Sequence, residues 1–232
     1  MELIELKNRI ITLFKGKEEE LNEILDFTEN EKSVYPFNEY ELLIHTLIEQ
    51  KSLTYQDYLE IRYEYIRRNP NLAYFDLVGR TFGNIMETYI HGICPTLKRP
   101  VGRTEYDFSL NNIRIEVKSG RVVEANSKKP LIEKALSSDT TANYDIILEQ
   151  IKPAYCDVFI WIAVYRDKMS IWVLNSKEVE ALPAYSNKQH RGNEGEGQFH
   201  IKPNNIASLE PYKEDTENLK EAIQRAYRRL YL

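Results

Sequence analysis

The sequence predicts an α/β (α+β) fold: a mixed central β-sheet flanked by helices, with a helical region in front of it. Three observations carry this. Residues 105–110 and 113–118, on either side of Asn111-Asn112, alternate apolar and polar, the period of a half-buried hairpin. Val158 to Val164 is a continuous apolar run, the mark of a strand covered on both faces. From Asp76 onward the elements read helix, strands, helix, strands, an order that puts helices against a sheet.

The elements follow in order. Leu3, Leu6, Ile10, Leu13 and Phe14 keep helical spacing, and Leu21, Ile24 and Leu25 resume it after Gly16. Leu42, Leu43, Leu47 and Ile48 suggest another helix. Thr54-Tyr55-Gln56-Asp57 resembles a capping start for a helix that ends before Asn69-Pro70. Residues 1–75 are therefore expected to form an N-terminal helical region, and 76–232 the core. Val78, Phe82, Ile85, Met86, Tyr89, Ile90 and Ile93 form one apolar stripe that Pro95 stops. Tyr144, Ile147, Leu148 and Ile151 predict a helix over 140–152, ended by Pro153. Met169 to Leu174 reads as the neighbour of strand 158–164, with Trp161 and Trp172 in the core. Residues 186–198 read as a polar, Gly-rich loop, and 214–231 as a final helix bearing Arg225, Arg228, Arg229, Tyr227 and Tyr231.

Composition narrows the setting. The chain is 42% hydrophobic and 29% charged, ordinary for a packed domain. No apolar run approaches the roughly 18 residues of a membrane span, and the first residues lack the basic and greasy pattern of a signal peptide. Two cysteines, Cys94 and Cys156, make no disulfide framework and have no zinc spacing, so a reducing cytoplasm is expected. The net charge of −5 does not by itself favour a polyanionic partner. It is uneven, however: residues 1–60 hold 14 acidic and 6 basic side chains, and the remainder 22 and 25.

In the hairpin Glu105 to Lys118, Asn111-Asn112 suits a two-residue turn because Asn tolerates positive φ. Leu110 then faces Ile113, Phe108 faces Ile115 and Tyr106 faces Val117, all on one side. The other side pairs Ser109 with Arg114, Asp107 with Glu116 and Glu105 with Lys118. Opposed residues hold their Cβ atoms about 4.5–5.5 Å apart. Two carboxylates at that distance repel unless a cation lies between them, and a hard, oxygen-binding ion such as Mg²⁺ fits. Lys118 lies on the same face, one pleat along, where it could orient a metal-bound water or simply pair with Glu105.

These residues resemble the PD-(D/E)xK nuclease superfamily. The match consists of Asp107 and, after eight intervening residues, Glu116-Val117-Lys118; Tyr106 stands where the family often has proline. Family members carry an acidic residue on the preceding helix, and Glu87 is the candidate here. The resemblance covers residues 76–175 and implies a restriction-endonuclease-like core. It implies metal-dependent hydrolysis of the DNA backbone. Asp107, Glu116 and the Val117 carbonyl would hold Mg²⁺, Lys118 would position the attacking water, and Glu87 would support the ion or its water shell.

The chain length and the absence of an ATP-binding motif point among such nucleases to a type II restriction enzyme. That enzyme would cut double-stranded DNA as a homodimer. Base readers are dense in Lys188, Gln189, His190, Arg191, Asn193 and Gln198, since Arg matches guanine while Asn and Gln match adenine. Arg121 is a candidate phosphate contact. The alternatives are a structure-specific repair or junction-resolving nuclease of the same fold, and a DNA-binding protein that kept the fold without the chemistry.

Overall fold

The computed structural model describes residues 54–102, 105–188 and 194–232, together with seven isolated positions before residue 54. The helices expected between residues 3 and 48 lie outside the described residues, as do positions 189–193. The chain divides into two compact units, Met1–Asp76 with Lys128–Ala135, and Leu77–Ser127 with Leu136–Leu232. No helix among the described residues is long and apolar enough to cross a membrane.

In the first unit, α1 (Tyr55–Arg68) occupies the span predicted from its capping sequence and ends just before Asn69-Pro70. A 3₁₀ turn, Leu72–Phe75, follows and buries Leu72 and Phe75.

The second unit opens with α2 (Gly79–Ile93), which buries Phe82, Met86 and Ile90 from the expected stripe. Its next elements are β1 (Phe108–Leu110) and β2 (Ile113–Arg121). They pair antiparallel in the expected register, Phe108 with Ile115 and Leu110 with Ile113. Of the two turn residues, Asn111 takes the positive φ, 56°.

β2 then pairs in parallel with β4 (Val158–Val164), which pairs antiparallel with β5 (Met169–Asn175). With β8 (Lys213–Glu214) at the edge, the order is β1-β2-β4-β5-β8, a five-stranded mixed sheet. All seven residues of β4 are buried, as its unbroken apolar sequence requires. α4 (Leu219–Arg229), the expected final helix, packs on β5 and β4 through one buried face, Leu219, Ala222, Ile223 and Ala226. The side chain of Asn175 anchors it by donating to the Ala226 carbonyl at 3.1 Å.

Two expectations fail, and both failures build a second sheet. Residues 140–152 form no helix; β3 (Ile146–Ile151) lies there instead. Tyr144, Ile146 and Leu148 alternate inward while Ile147 is 48% exposed. Gln150, at φ 54°, sits in an irregularity of the strand that returns Ile151 to the core. That extra residue made a period of two look like helical spacing. Residues 186–198 are likewise not all loop. β6 (Ser186–Lys188) and β7 (Glu194–Ile201) pair antiparallel, and β7 also pairs with β3. Gly197 is a packing residue: a Cβ there would lie 2.3 Å from the Tyr185 hydroxyl oxygen. A short helix, α3 (Ser176–Ala181), links the sheets and is closed by a capping box between Asn175 and Glu178.

One core fills the space between the sheets. Phe159, Trp161, Trp172 and Leu174 meet Ile146, Leu148, Phe199 and Ile201 there, with Trp161 and Phe199 rings 5.1 Å apart. The β2–β4 register sets Glu116 beside Phe159 and Lys118 beside Trp161. Register partners in a sheet point to one face. The candidate site therefore lies on the face that the second sheet covers further along. At Gly120 the two sheets are in close contact: a Cβ there would stand 2.2 Å from Ile146 Cγ2.

Candidate active site

Asp107 ends the regular hairpin. Its N–H donates to the Ile115 carbonyl at 3.0 Å, although Ile115 is already the partner of Phe108. The ladder slips there, so the expected pairings of Asp107 with Glu116, Tyr106 with Val117 and Glu105 with Lys118 are not formed. Tyr106 packs against the core of Phe159 and Trp161. Glu105 goes instead to Lys152, at 2.8 Å, and Lys152 also reaches Glu196 of β7 at 3.3 Å. The slip leaves the Val117 N–H without a strand partner on that side. The Asp107 carboxylate fills the gap, accepting that N–H through Oδ2 at 2.8 Å. A backbone hydrogen bond thus fixes the side chain beside β2.

Glu116 is nevertheless its electrostatic neighbour. Burial pushes the Asp107 carboxyl up to about 7, and the charge of Glu116 adds to the shift. Burial also raises Glu116, against the opposing pull of Lys118. Lys118 Nζ lies 2.6 Å from Glu116 Oε1, and both side chains are largely buried, at 15% and 13% exposure. One lysine therefore faces two desolvated carboxylates.

Glu87 belongs to the same electrostatic neighbourhood. Its charge raises both Asp107 and Glu116. Arg99 holds it by donating from Nη1 to Oε2 at 2.9 Å. Sequence spacing gave no sign of Arg99, which comes from the segment between α2 and β1. Cys156 is a second neighbour that was not foreseen. Burial and then Glu116 push its thiol far above the ordinary range, which keeps it neutral.

The residues present suit a hard divalent cation. Among the described residues, no three His, Cys, Asp or Glu side chains converge as a ready-made metal cage. Two carboxylates whose charged forms are disfavoured by burial, with the charge of Glu116 raising Asp107 further, are, however, a donor set that a cation relieves. The Val117 carbonyl is the remaining oxygen proposed from sequence.

The other predicted residues are dispersed. Arg121 is turned inward: its guanidinium lies 4.2 Å from the Phe82 ring centroid and donates to the Leu77 carbonyl, and its Nε is buried without a partner. Lys188 is exposed on β6, and Gln198 on β7 pairs with Ser186. Gln189, His190, Arg191 and Asn193 lie outside the described residues. His91 stacks on Phe108, with ring centroids 5.9 Å apart.

No protein-family model matches the chain, and no curated protein matches it. Among solved structures, the bacterial homing endonuclease I-Ssp6803I aligns with 67% of this chain and 100% of its own. The TM-score is 0.33 and the identity 14%. At that similarity, the functional reading rests on the side chains of the site.

Proposed function

We propose that the chain is a Mg²⁺-dependent endonuclease that hydrolyses DNA phosphodiester bonds. The observation that carries this is the buried pair Asp107 and Glu116, with Lys118 2.6 Å from Glu116. Buried like charges cost stability, and a fold keeps them where the chemistry uses them. Asp107, Glu116 and the Val117 carbonyl would hold the ion. What a divalent cation supplies there, when bound, is charge for the phosphate oxygens and a lower pKa for the attacking water. Lys118, released from Glu116, orients that water and offsets phosphate charge. Glu87 adds a third carboxylate at the rim for the water shell.

The more specific reading is a type II restriction enzyme acting as a homodimer on duplex DNA. It rests on the hairpin of β6 and β7, whose connecting residues 189–193 carry Gln, His, Arg and Asn. The test is digestion of a sequenced plasmid with Mg²⁺, followed by mapping of the ends. Discrete bands support the restriction reading. Cleavage confined to branched DNA supports a structure-specific nuclease. No metal-dependent cleavage on any DNA overturns the catalytic proposal.

A further inference from the structure

The carboxylates of the site face a problem with their substrate. Asp107, Glu116 and Glu87 are acidic, and Lys118 is the cation paired with Glu116. A DNA backbone brings more negative charge to the same place. Arg99 answers this. Its segment is fixed to the hairpin by two backbone hydrogen bonds, Lys98 N–H to the Ser109 carbonyl at 2.9 Å and Ser109 N–H to the Lys98 carbonyl at 2.8 Å. Its guanidinium lies 4.8 Å from the ring centroid of Phe108, the residue after Asp107. One nitrogen, Nη1, holds Glu87 at 2.9 Å, yet half of the side chain remains exposed.

We propose that Arg99 binds a DNA backbone phosphate beside the scissile one, its guanidinium held in place by the Phe108 ring and Glu87. The proposal rests on the nuclease reading above. A planar guanidinium suits the role: it can keep one donor on a carboxylate and turn its remaining fork to a phosphate oxygen. Contact with Phe108 and the Lys98–Ser109 bridge remove part of the entropy that a free surface arginine would lose on binding. The contact is to the backbone, so it positions the duplex without reading its sequence.

The experiment measures DNA binding, with Ca²⁺ in place of Mg²⁺, for the wild type, Arg99→Gln and Arg99→Lys on linearised plasmid over a range of salt. Arg99→Gln should raise Kd about 10-fold and lower the slope of log K against log salt by about 1. Arg99→Lys keeps the charge but loses the fork, so an intermediate Kd with an undiminished slope is expected. If Arg99→Gln proves unfolded by melting, the Kd of Arg99→Lys decides. Cleavage of the same plasmid with Mg²⁺ separates the two levels of inference. A wild type that cuts, with unchanged Kd in the folded variants, overturns the role of Arg99 and leaves the nuclease reading standing. A wild type that neither binds nor cuts DNA overturns both.

Discussion

The carboxylate of Asp107 accepts the backbone N–H of Val117 at 2.8 Å, across the slip that ends the hairpin. The same side chain is therefore both a structural cap and a candidate metal ligand. Its two roles separate by substitution. Metal-free Asp107→Asn keeps an oxygen for the Val117 N–H and loses the repulsion with Glu116, so it should melt at or above the wild-type temperature. Asp107→Ala leaves the N–H unpaired, at a cost of about 1–3 kcal/mol, and should melt lower. Thermal melting of the three proteins in chelator checks this. An asparagine variant that melts as low as the alanine variant would show that the charge, and not the oxygen, matters to the fold.

Mg²⁺ should reverse the order. An ion that binds the folded state alone stabilises it by mass action. Wild type should gain melting temperature on adding Mg²⁺ or Ca²⁺, and Asp107→Asn should gain much less. Equal gains would remove Asp107 from the ligand set.

The pH dependence has a definite sign. The folded Asp107 carboxyl titrates near 7, above its ordinary value of 3.8. The folded state thus holds a proton that the unfolded state has lost over that window. Metal-free stability should fall as pH rises from about 4 to about 7, and level off above. Protons also compete with the cation for Asp107. Mg²⁺ affinity and cleavage should therefore decline as pH drops below about 7. A cleavage rate that is flat from pH 8 to pH 5.5 would contradict this.

Asp107→Ala, Glu116→Ala and Lys118→Ala should each lower the cleavage rate by about 10²–10³-fold or more, with the fold retained. Glu87→Gln, one step removed from the pair, should lower it by roughly 10-fold. Single-turnover rates together with circular dichroism check both groups. Full activity in any of the first three variants would remove that residue from the mechanism.

Specificity gives a further prediction. Arg191→Ala or Asn193→Ala should narrow the difference between a cognate site and a one-mismatch site by about 1–3 kcal/mol. Competition cleavage on paired substrates measures it, and an unchanged ratio would make the β6–β7 connection a bystander.

The five-stranded sheet was largely legible in the sequence because its signals are local. Alternation set the β1–β2 register as far as Phe108, and the unbroken apolar run set β4. The second sheet was not legible. A single extra residue at Gln150 turned strand spacing into apparent helix spacing, and Gly195 and Gly197 looked like loop when one of them lies under Tyr185. At the site, Lys118 lies 2.6 Å from Glu116, the two residues that alternation put on one strand face, and Glu87 acts on the pair through its charge. The slip at Asp107, the hold of Lys152 on Glu105 and the bridge from Arg99 to Glu87 arise from tertiary contacts that no spacing rule encodes.

Gly120 bears on how the chain avoids a wrong alignment. A strand displaced by one residue exposes its apolar set, so that error is costly anyway. A displacement by two preserves the alternation and would escape that check. Here it would carry the side chain of Lys118 to the place that Gly120 holds, 2.2 Å from Ile146 for even a Cβ. The bare backbone at one position thus works as a register lock. It bars the alternative pairing that would keep the hydrophobic pattern while burying the lysine of the site.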